Sequence, residues 1–331
     1  MKKIVFASIL SLCLVFAFAH VKKKEVSLKL TKTIVLPNIK GGFDLMAADV
    51  QGKRLFISAQ DNHSVEVIDL GGMKPIISLP GFQEPKWVAY RPESNRLYVA
   101  TGLDAKVTVV DSRTFKTIKS FTFKEKCNGI RFDPARNLLY VGVGNTFGSL
   151  GIIDVTKDEI VGEIPLSNFP KQFDFVGNKM YINIPATNTI EVADLTLQKV
   201  VATWPVKEAK ENVPMAIDRV HQLLFIGCEP GKLVVYDLKT EKAIATVDIS
   251  KEADGIYYDT KRAQIYVSCG EGFIDIIKQI TADSYQPVSK IQTVAGAGTS
   301  LFIPELDLFI LAVPQTDKNK AEIRVYQPTK N

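Results

Sequence analysis

A chain of 331 residues in which 46% of side chains are hydrophobic and 23% charged has the composition of a folded globular protein, which excludes the disordered and fibrous classes. Its formal charge of +5, from 41 basic against 36 acidic residues, is weak and interspersed along the chain, so no nucleic acid or lipid surface is expected as a partner. Four cysteines are too few for a disulfide-built scaffold of this length.

The chain begins with a pattern of export. Lys2 and Lys3 give a positive start, Ile4 to Phe16 an apolar stretch, and Ala17-Phe18-Ala19 a small-residue cleavage site before His20. Residues 1–19 are therefore read as a signal peptide, too short in its apolar part for a membrane span. Cys13 is not a lipid acceptor, because Leu10-Ser11-Leu12 puts Leu where a small residue is required. Residues 20–29, with the basic run Lys22-Lys23-Lys24, are expected as a solvated leader. No later stretch reaches spanning length, so the mature protein is expected to be exported, periplasmic or extracellular, without an integral membrane segment, and a monomer. Cleavage leaves Cys127, Cys228 and Cys269, an odd number that forbids a complete disulfide framework.

From residue 30 onward the chain repeats. The stretch Pro85 to Phe123 holds four short runs of period-two hydrophobicity, bounded by Pro, Gly, Asn and Asp, which predicts one antiparallel four-stranded meander. Its second run, RLYVAT (96–101), recurs as RLFISA (54–59), LLYVGV (138–143), KMYINI (179–184), LLFIGC (223–228), QIYVSC (264–269) and DLFILA (307–312). Seven copies about forty residues apart have the period of propeller blades. The third runs follow in order, and five end in aspartate: Asp69, Asp111, Asp154, Asp194 and Asp237. Five acids at one strand-to-turn junction are turn chemistry, because aspartate there caps its own backbone. The last copy ends at Pro328 with no fourth run, while LTKTIVLP (30–37) stands unmatched before the first. These predict an all-β, seven-bladed β-propeller over residues 30–331, with four-stranded antiparallel blades and an N-terminal strand completing blade 7. Cys228 and Cys269 end their second runs where other blades have Ala59, Thr101, Val143, Ile184 and Ala312, which predicts small packed core residues.

The copies RLYVAT, LLYVGV and QIYVSC, each followed by a V/I-x-V-hydrophobic-D run and a polar turn, resemble the YVTN-type, YncE-like exported β-propeller repeats. The resemblance covers residues 30 to 328 and implies fold and export, not an activity. Blades 4 and 7 depart from it with shortened first turns, and blade 6 has a longer third-to-fourth connection, Lys278 to Tyr285.

Propellers place ligands at the central channel or on the loops around its mouth, an expectation drawn from the fold alone. Aligned at the start of each first strand, the blades contribute Asp44, Lys86, Asn128, Lys171, Val213, Asp254 and Gly298, and one step further Leu45, Trp87, Gly129, Gln172, Pro214, Gly255 and Thr299. Asp44, Lys86, Trp87, Asn128, Lys171, Gln172 and Asp254 are thus the candidate ligand-binding residues, with packing between blades the main role expected of Trp87. Asp44, Asn128 and Asp254 supply three oxygen side chains, enough for a weak divalent site if waters and backbone carbonyls complete it, while the two lysines count against the acid-rich channel of a lactonase-type propeller. The histidines, His20, His63 and His221, are scattered, and no H-E-x-x-H, C-x-x-C or G-x-S-x-G occurs. No metal, cofactor or catalytic residue is therefore assigned. The expected function is a non-catalytic exported propeller that binds a protein, peptide or glycan over its loop face. The alternative is a small-molecule enzyme, a lyase or lactone hydrolase, with its site at the channel mouth.

Overall fold

A computed structural model describes residues 28–329. They form seven four-stranded antiparallel sheets, and in six of them the strands run in chain order from the first to the fourth. Blade 2, as expected, consists of Pro85–Arg91, Arg96–Thr101, Lys106–Asp111 and Thr117–Thr122. The seventh sheet is built from both ends of the chain: Ser300–Ile303, Leu308–Val313 and Glu322–Pro328 are completed by Leu28–Val35. That N-terminal strand pairs antiparallel from Leu28 opposite Pro328 to Val35 opposite Glu322, with a bulge between Leu30 and Lys32. It extends at least two residues further back than expected: Leu28 is 1% exposed and packs into the cluster holding Ile274, Phe309 and Tyr326. The expected signal, residues 1–19, and most of the leader lie outside the described residues.

The second and third strands of each blade are covered on both faces by neighbouring blades, so they read as near-continuous apolar runs. Arg54–Ala59 is buried in all but its first residue, and Leu223–Cys228 throughout. The fourth strands are covered on one side only, and Lys74–Pro80 buries a single residue, Leu79. The apolar residues fall into seven clusters, one for each pair of adjacent blades. One joins blade 7 to blade 1 through Ile310, Ile323, Leu55 and Ile57, with Ile34 and Leu36 of the N-terminal segment packed among them. Each interface is its own core, which is how one domain of this length is stabilised. Cys127, Cys228 and Cys269 are free and buried in three of these clusters. Burial pushes the Cys127 and Cys228 thiols up to about 12, so both behave as small hydrophobes.

The turn acids do what their position predicts. Asp111 Oδ1 accepts from the backbone N–H groups of Arg113 and Thr114 at 2.9 and 2.8 Å, and Asp69, Asp154, Asp194 and Asp237 repeat the pattern. A second series, at the ends of first strands, was not anticipated. Asp49, Asp133, Asp218 and Asp259 cap the following turn in the same way but are buried, and each pairs with a cation or a histidine: Arg54, Arg136, His221 and Arg262. Blades 4 and 7 replace this turn: Val176 pairs directly with Lys179 in blade 4, and a short 3-10 turn, Pro304–Leu306, follows in blade 7. Among the described residues no helix is long and apolar enough to cross a membrane.

Candidate functional site

The innermost strands surround the channel, and their starts carry a recurrent irregularity. In blades 1, 2, 3 and 6 the pairing register shifts near the first residue, at Asp44/Met46, Pro85/Trp87, Cys127/Ile130 and Ala253/Gly255. A bulge of this kind re-aims side chains. Its effect here is a side-chain spacing of three where strand geometry alone would give two. Asp44, Lys86, Asn128, Lys171, Val213 and Asp254 are partly exposed at the mouth, and a second partly exposed ring lies three residues on: Ala47, Ala89, Arg131, Asp174, Ala216, Tyr257 and Leu301. The residues between, including Leu45, Trp87, Gln172 and Thr299, are buried.

At the mouth the acids and bases divide into two arcs. Asp44 of blade 1 and Asp254 of blade 6 flank blade 7, where Gly298 leaves the space between them free of a side chain. A Cβ at Gly298 would stand 2.9 Å from that of Asp254, so even alanine would crowd it. Among the described residues Asp44 accepts a hydrogen bond only from the N–H of Leu45, at 2.9 Å. Enclosure by the channel walls, with the charge of Asp254 acting the same way, pushes its carboxyl up to about 7; Lys86, the Leu45 N–H and Lys171 offset this in part. Water still reaches the group, but protein surrounds it on most sides, and that enclosure sets its affinity for a proton. Asp254 is also raised by burial, against the Thr299 hydroxyl, which donates to Oδ2 at 2.9 Å, and the charge of Lys171.

The opposite arc is basic. Lys86 is committed: its Nζ lies 2.9 Å from Glu84 and donates to Gln60 Oε1 at 2.8 Å. Lys171 is not. Its ammonium lies over the Phe169 ring, 5.5 Å from the centroid, with no carboxylate in ion-pair range among the described residues. Asn128, between the two lysines, makes no side-chain hydrogen bond among those residues.

Two expected site residues are held by neighbours. Trp87 packs between blades 2 and 3 with Tyr98 and Ile130, and the Arg131 guanidinium stacks 4.6 Å from its ring centroid. Gln172 is locked in place, its Nε2 donating to the Asp254 carbonyl at 3.1 Å and its Oε1 accepting from Met215 N–H at 3.2 Å. The deeper ring brings in residues that the alignment had in view without selecting. Arg131 reaches Asp174 at 3.9 Å, Asp174 is held by Arg219 at 2.8 Å, and the Tyr257 hydroxyl donates to the Ser300 carbonyl. Burial raises the Tyr257 phenol far above its usual range, with Asp254 adding to the rise and Arg131 opposing it. Tyr257 therefore senses charges from blades 3 and 6 at once. The signal was present three columns further along the same alignment, but period-two reasoning passes over it.

Beside Asp254 a cavity of about 420 Å³ opens, lined by Phe43, Val213 and Thr299 and by Glu211, Glu229 and Glu252. Away from the channel, on the same face, a groove of about 390 Å³ runs between blades 2 and 3, lined by Phe123, Val143, Phe147, Ile160 and Pro165. Phe147 is 77% exposed and Leu103, on the corresponding loop of blade 2, 62% exposed. His63 lies in the matching loop of blade 1, its Nδ1 accepting from Glu84 N–H at 3.1 Å. Among the described residues, no group of three or more His, Cys, Asp or Glu side chains is arranged to hold a metal ion.

No family model matches the sequence, and no curated protein does. Solved structures do match. A chain of the crystal structure of the mitotic checkpoint complex superposes with a TM-score of 0.78 at 12% identity, covering 98% of this chain and 99% of that one. The RRP9 WD40 repeats give 0.80 at 9% identity, over 92% and 100% of the two chains. A chain of Kuenenia stuttgartiensis hydrazine synthase gives 0.75 at 18% identity, over 87% and 97%. At these identities the likeness shows the fold alone. The chain is a seven-bladed β-propeller.

Proposed function

We propose that this chain is an exported, non-catalytic propeller of the YVTN type that binds a protein, peptide or glycan over the face carrying its second-to-third strand loops. The observation that carries the reading is Phe147. A phenylalanine 77% exposed at the rim of an apolar groove, with Leu103 exposed on the adjacent blade's loop, is an arrangement that a partner would cover. One structural neighbour is itself a chain of a complex, which agrees with use of the fold as a binding scaffold. Export rests on the signal pattern of residues 1–19 and the repeat resemblance.

A screen of the purified propeller against peptide-display libraries and glycan arrays tests the reading, with Phe147→Asp run in parallel. The expected result is a binder whose affinity falls at least about tenfold in Phe147→Asp while the melting temperature holds. Binders indifferent to the substitution would remove the groove from the function. A second reading is kept by one observation: a carboxyl near 7, such as Asp44, is placed to act as a general base at neutral pH. Turnover from a panel of lactones and lyase substrates that Asp44→Asn abolishes would put the enzyme ahead of the binder.

A further inference from the structure

The two arcs of the channel mouth pose a problem of charge that a single ion does not solve. A bare cation settling on Asp44 and Asp254 meets the unpaired Lys171 ammonium across the ring. A bare anion on Lys171 and Asn128 meets the two acids. Both acids feel Lys171 through space, and Asp44 feels Lys86 as well, yet among the described residues neither acid is in ion-pair contact with a lysine. The charges are thus close enough to interact and too far apart to neutralise one another. A molecule bearing an ammonium at one end and a carboxylate at the other would satisfy both arcs at once and leave the net charge of the mouth unchanged.

We infer that the channel mouth is a binding site for a small zwitterion of the amino-acid class, its ammonium held by Asp44 and Asp254 and its carboxylate by Lys171 and the Asn128 amide. Four features fit this occupant. The cavity of about 420 Å³ beside Asp254, with Gly298 and Thr299 in its wall, gives the ammonium end room. The Asn128 side chain has its hydrogen-bonding capacity unspent among the described residues. Lys86, by contrast, is neutralised by Glu84, so one lysine and not two is available to a ligand carboxylate. Beneath the mouth, Asp174 is shared by Arg219 at 2.8 Å and Arg131 at 3.9 Å, so the deeper ring does not compete with Asp44 and Asp254 for a ligand ammonium. The proposal deepens the reading of the mouth as a ligand site and is separate from the Phe147 groove.

Occupation also moves a proton. With no ligand, Asp44 titrates near neutrality; an ammonium seated against it and Asp254 favours the ionised forms, so binding at neutral pH expels a proton from the carboxyl pair. The groups facing Asp44 that share in this titration are Asp254, Lys86, Lys171 and the Leu45 N–H.

The experiment is calorimetric titration of the full propeller with unbranched ω-amino acids from glycine to 6-aminohexanoate, against n-butylamine and butanoate, in buffers of different ionisation enthalpy. One chain length should bind at least about tenfold tighter than either singly charged analogue. Its binding should release about half a proton at pH 7 and almost none at pH 9. Lys171→Met should reduce the zwitterion to the affinity of the amine, and Asp254→Asn should weaken it at least about tenfold and cut the proton release. Equal affinity for zwitterion and amine, release of no proton at pH 7, or no saturation below about 10 mM for any member of the series overturns the proposal. Phe147→Asp serves as the control and should bind the zwitterion unchanged. A failure at the mouth with partner docking intact defeats this inference alone, whereas loss of partner docking with zwitterion binding intact defeats only the groove.

Discussion

Aspartate does three jobs in this chain, and burial decides which. At the ends of third strands the carboxylates are partly exposed and accept two backbone N–H groups each. Those bonds hold Asp69, Asp111 and Asp194 below the usual carboxylate range, and the Thr156 hydroxyl together with two backbone N–H groups holds Asp154 at about 2. At the ends of first strands the same capping geometry is buried and carries a counter-charge. Asp259 accepts from Lys261 and Arg262 N–H at 3.0 and 3.2 Å, from the Arg262 guanidinium at 2.8 Å and from the Tyr266 hydroxyl at 2.8 Å. At the channel mouth the carboxylate has walls around it and few donors, and its proton is retained. The first two jobs predict different costs. Asp259→Ala leaves Arg262 to its second partner, Asp307, and the Tyr266 hydroxyl to Gln264 at 3.3 Å, and should destabilise by about 2 kcal/mol in equilibrium denaturation. Asp111→Ala removes bonds that water replaces, and should lower the melting temperature by no more than about 2 °C. Equal losses would mean that the exposed series constrains the hairpins as strongly as the buried one.

At the scale of strands, almost all of the architecture was legible, and for a definite reason. The seven second strands are covered on both faces, so selection for burial wrote the same apolar word seven times, and counting copies gave the blade number. The missing fourth strand and the spare N-terminal one were equally plain, and the pairing of Leu28 with Pro328 through Val35 with Glu322 follows the expected closure. Two features escaped. Pairing reaches back at least to Leu28, whose side chain is buried, and the buried first-strand aspartates were overlooked although D-x-x-R or D-x-x-H stands at Asp133, Asp218 and Asp259. The closing strand carries its own prediction. Deleting residues up to 37 uncovers the edge of Glu322–Pro328 and removes Leu28, Ile34 and Leu36 from the cores on either side of blade 7. Aggregation on size exclusion is expected, because an unpaired edge strand recruits other chains. The milder Ile34→Ala should cost about 2–5 kcal/mol with the ring still closed. A monomeric deletion variant with unchanged melting would show that three strands suffice for blade 7.

The channel is a property of the whole molecule, and it was the part least legible in the sequence. Alignment brought Asp44, Lys86, Asn128, Lys171 and Asp254 to one ring, because the repeat fixes which residue starts each first strand. It passed over Arg131, Asp174 and Tyr257, since a bulge is a backbone irregularity that hydrophobic periodicity does not record, and it could not foresee that Gln172 and Trp87 are held by neighbours. Nor does any local segment contain the cause of the Asp44 titration: the walls come from the assembled blades, the repelling charge from blade 6, and the offsetting lysines from blades 2 and 4. The last prediction follows from that. A carboxyl whose proton affinity is raised by folding makes the folded state lose stability as pH rises from its unfolded value near 4 to its folded value near 7, with no further loss above. Asparagine at this position has no charge to expose to the walls. The stability of Asp44→Asn relative to the parent should therefore be flat below pH 4, climb between 4 and 7, and level off beyond. The lowered turn acids act in the opposite sense at acid pH but are common to both proteins and cancel in the difference. Melting curves for the pair from pH 3 to 9 measure it. A difference that stays flat across that range would mean Asp44 is solvated like any surface carboxylate, and with it would go the enclosed mouth that both the zwitterion site and the general-base reading require.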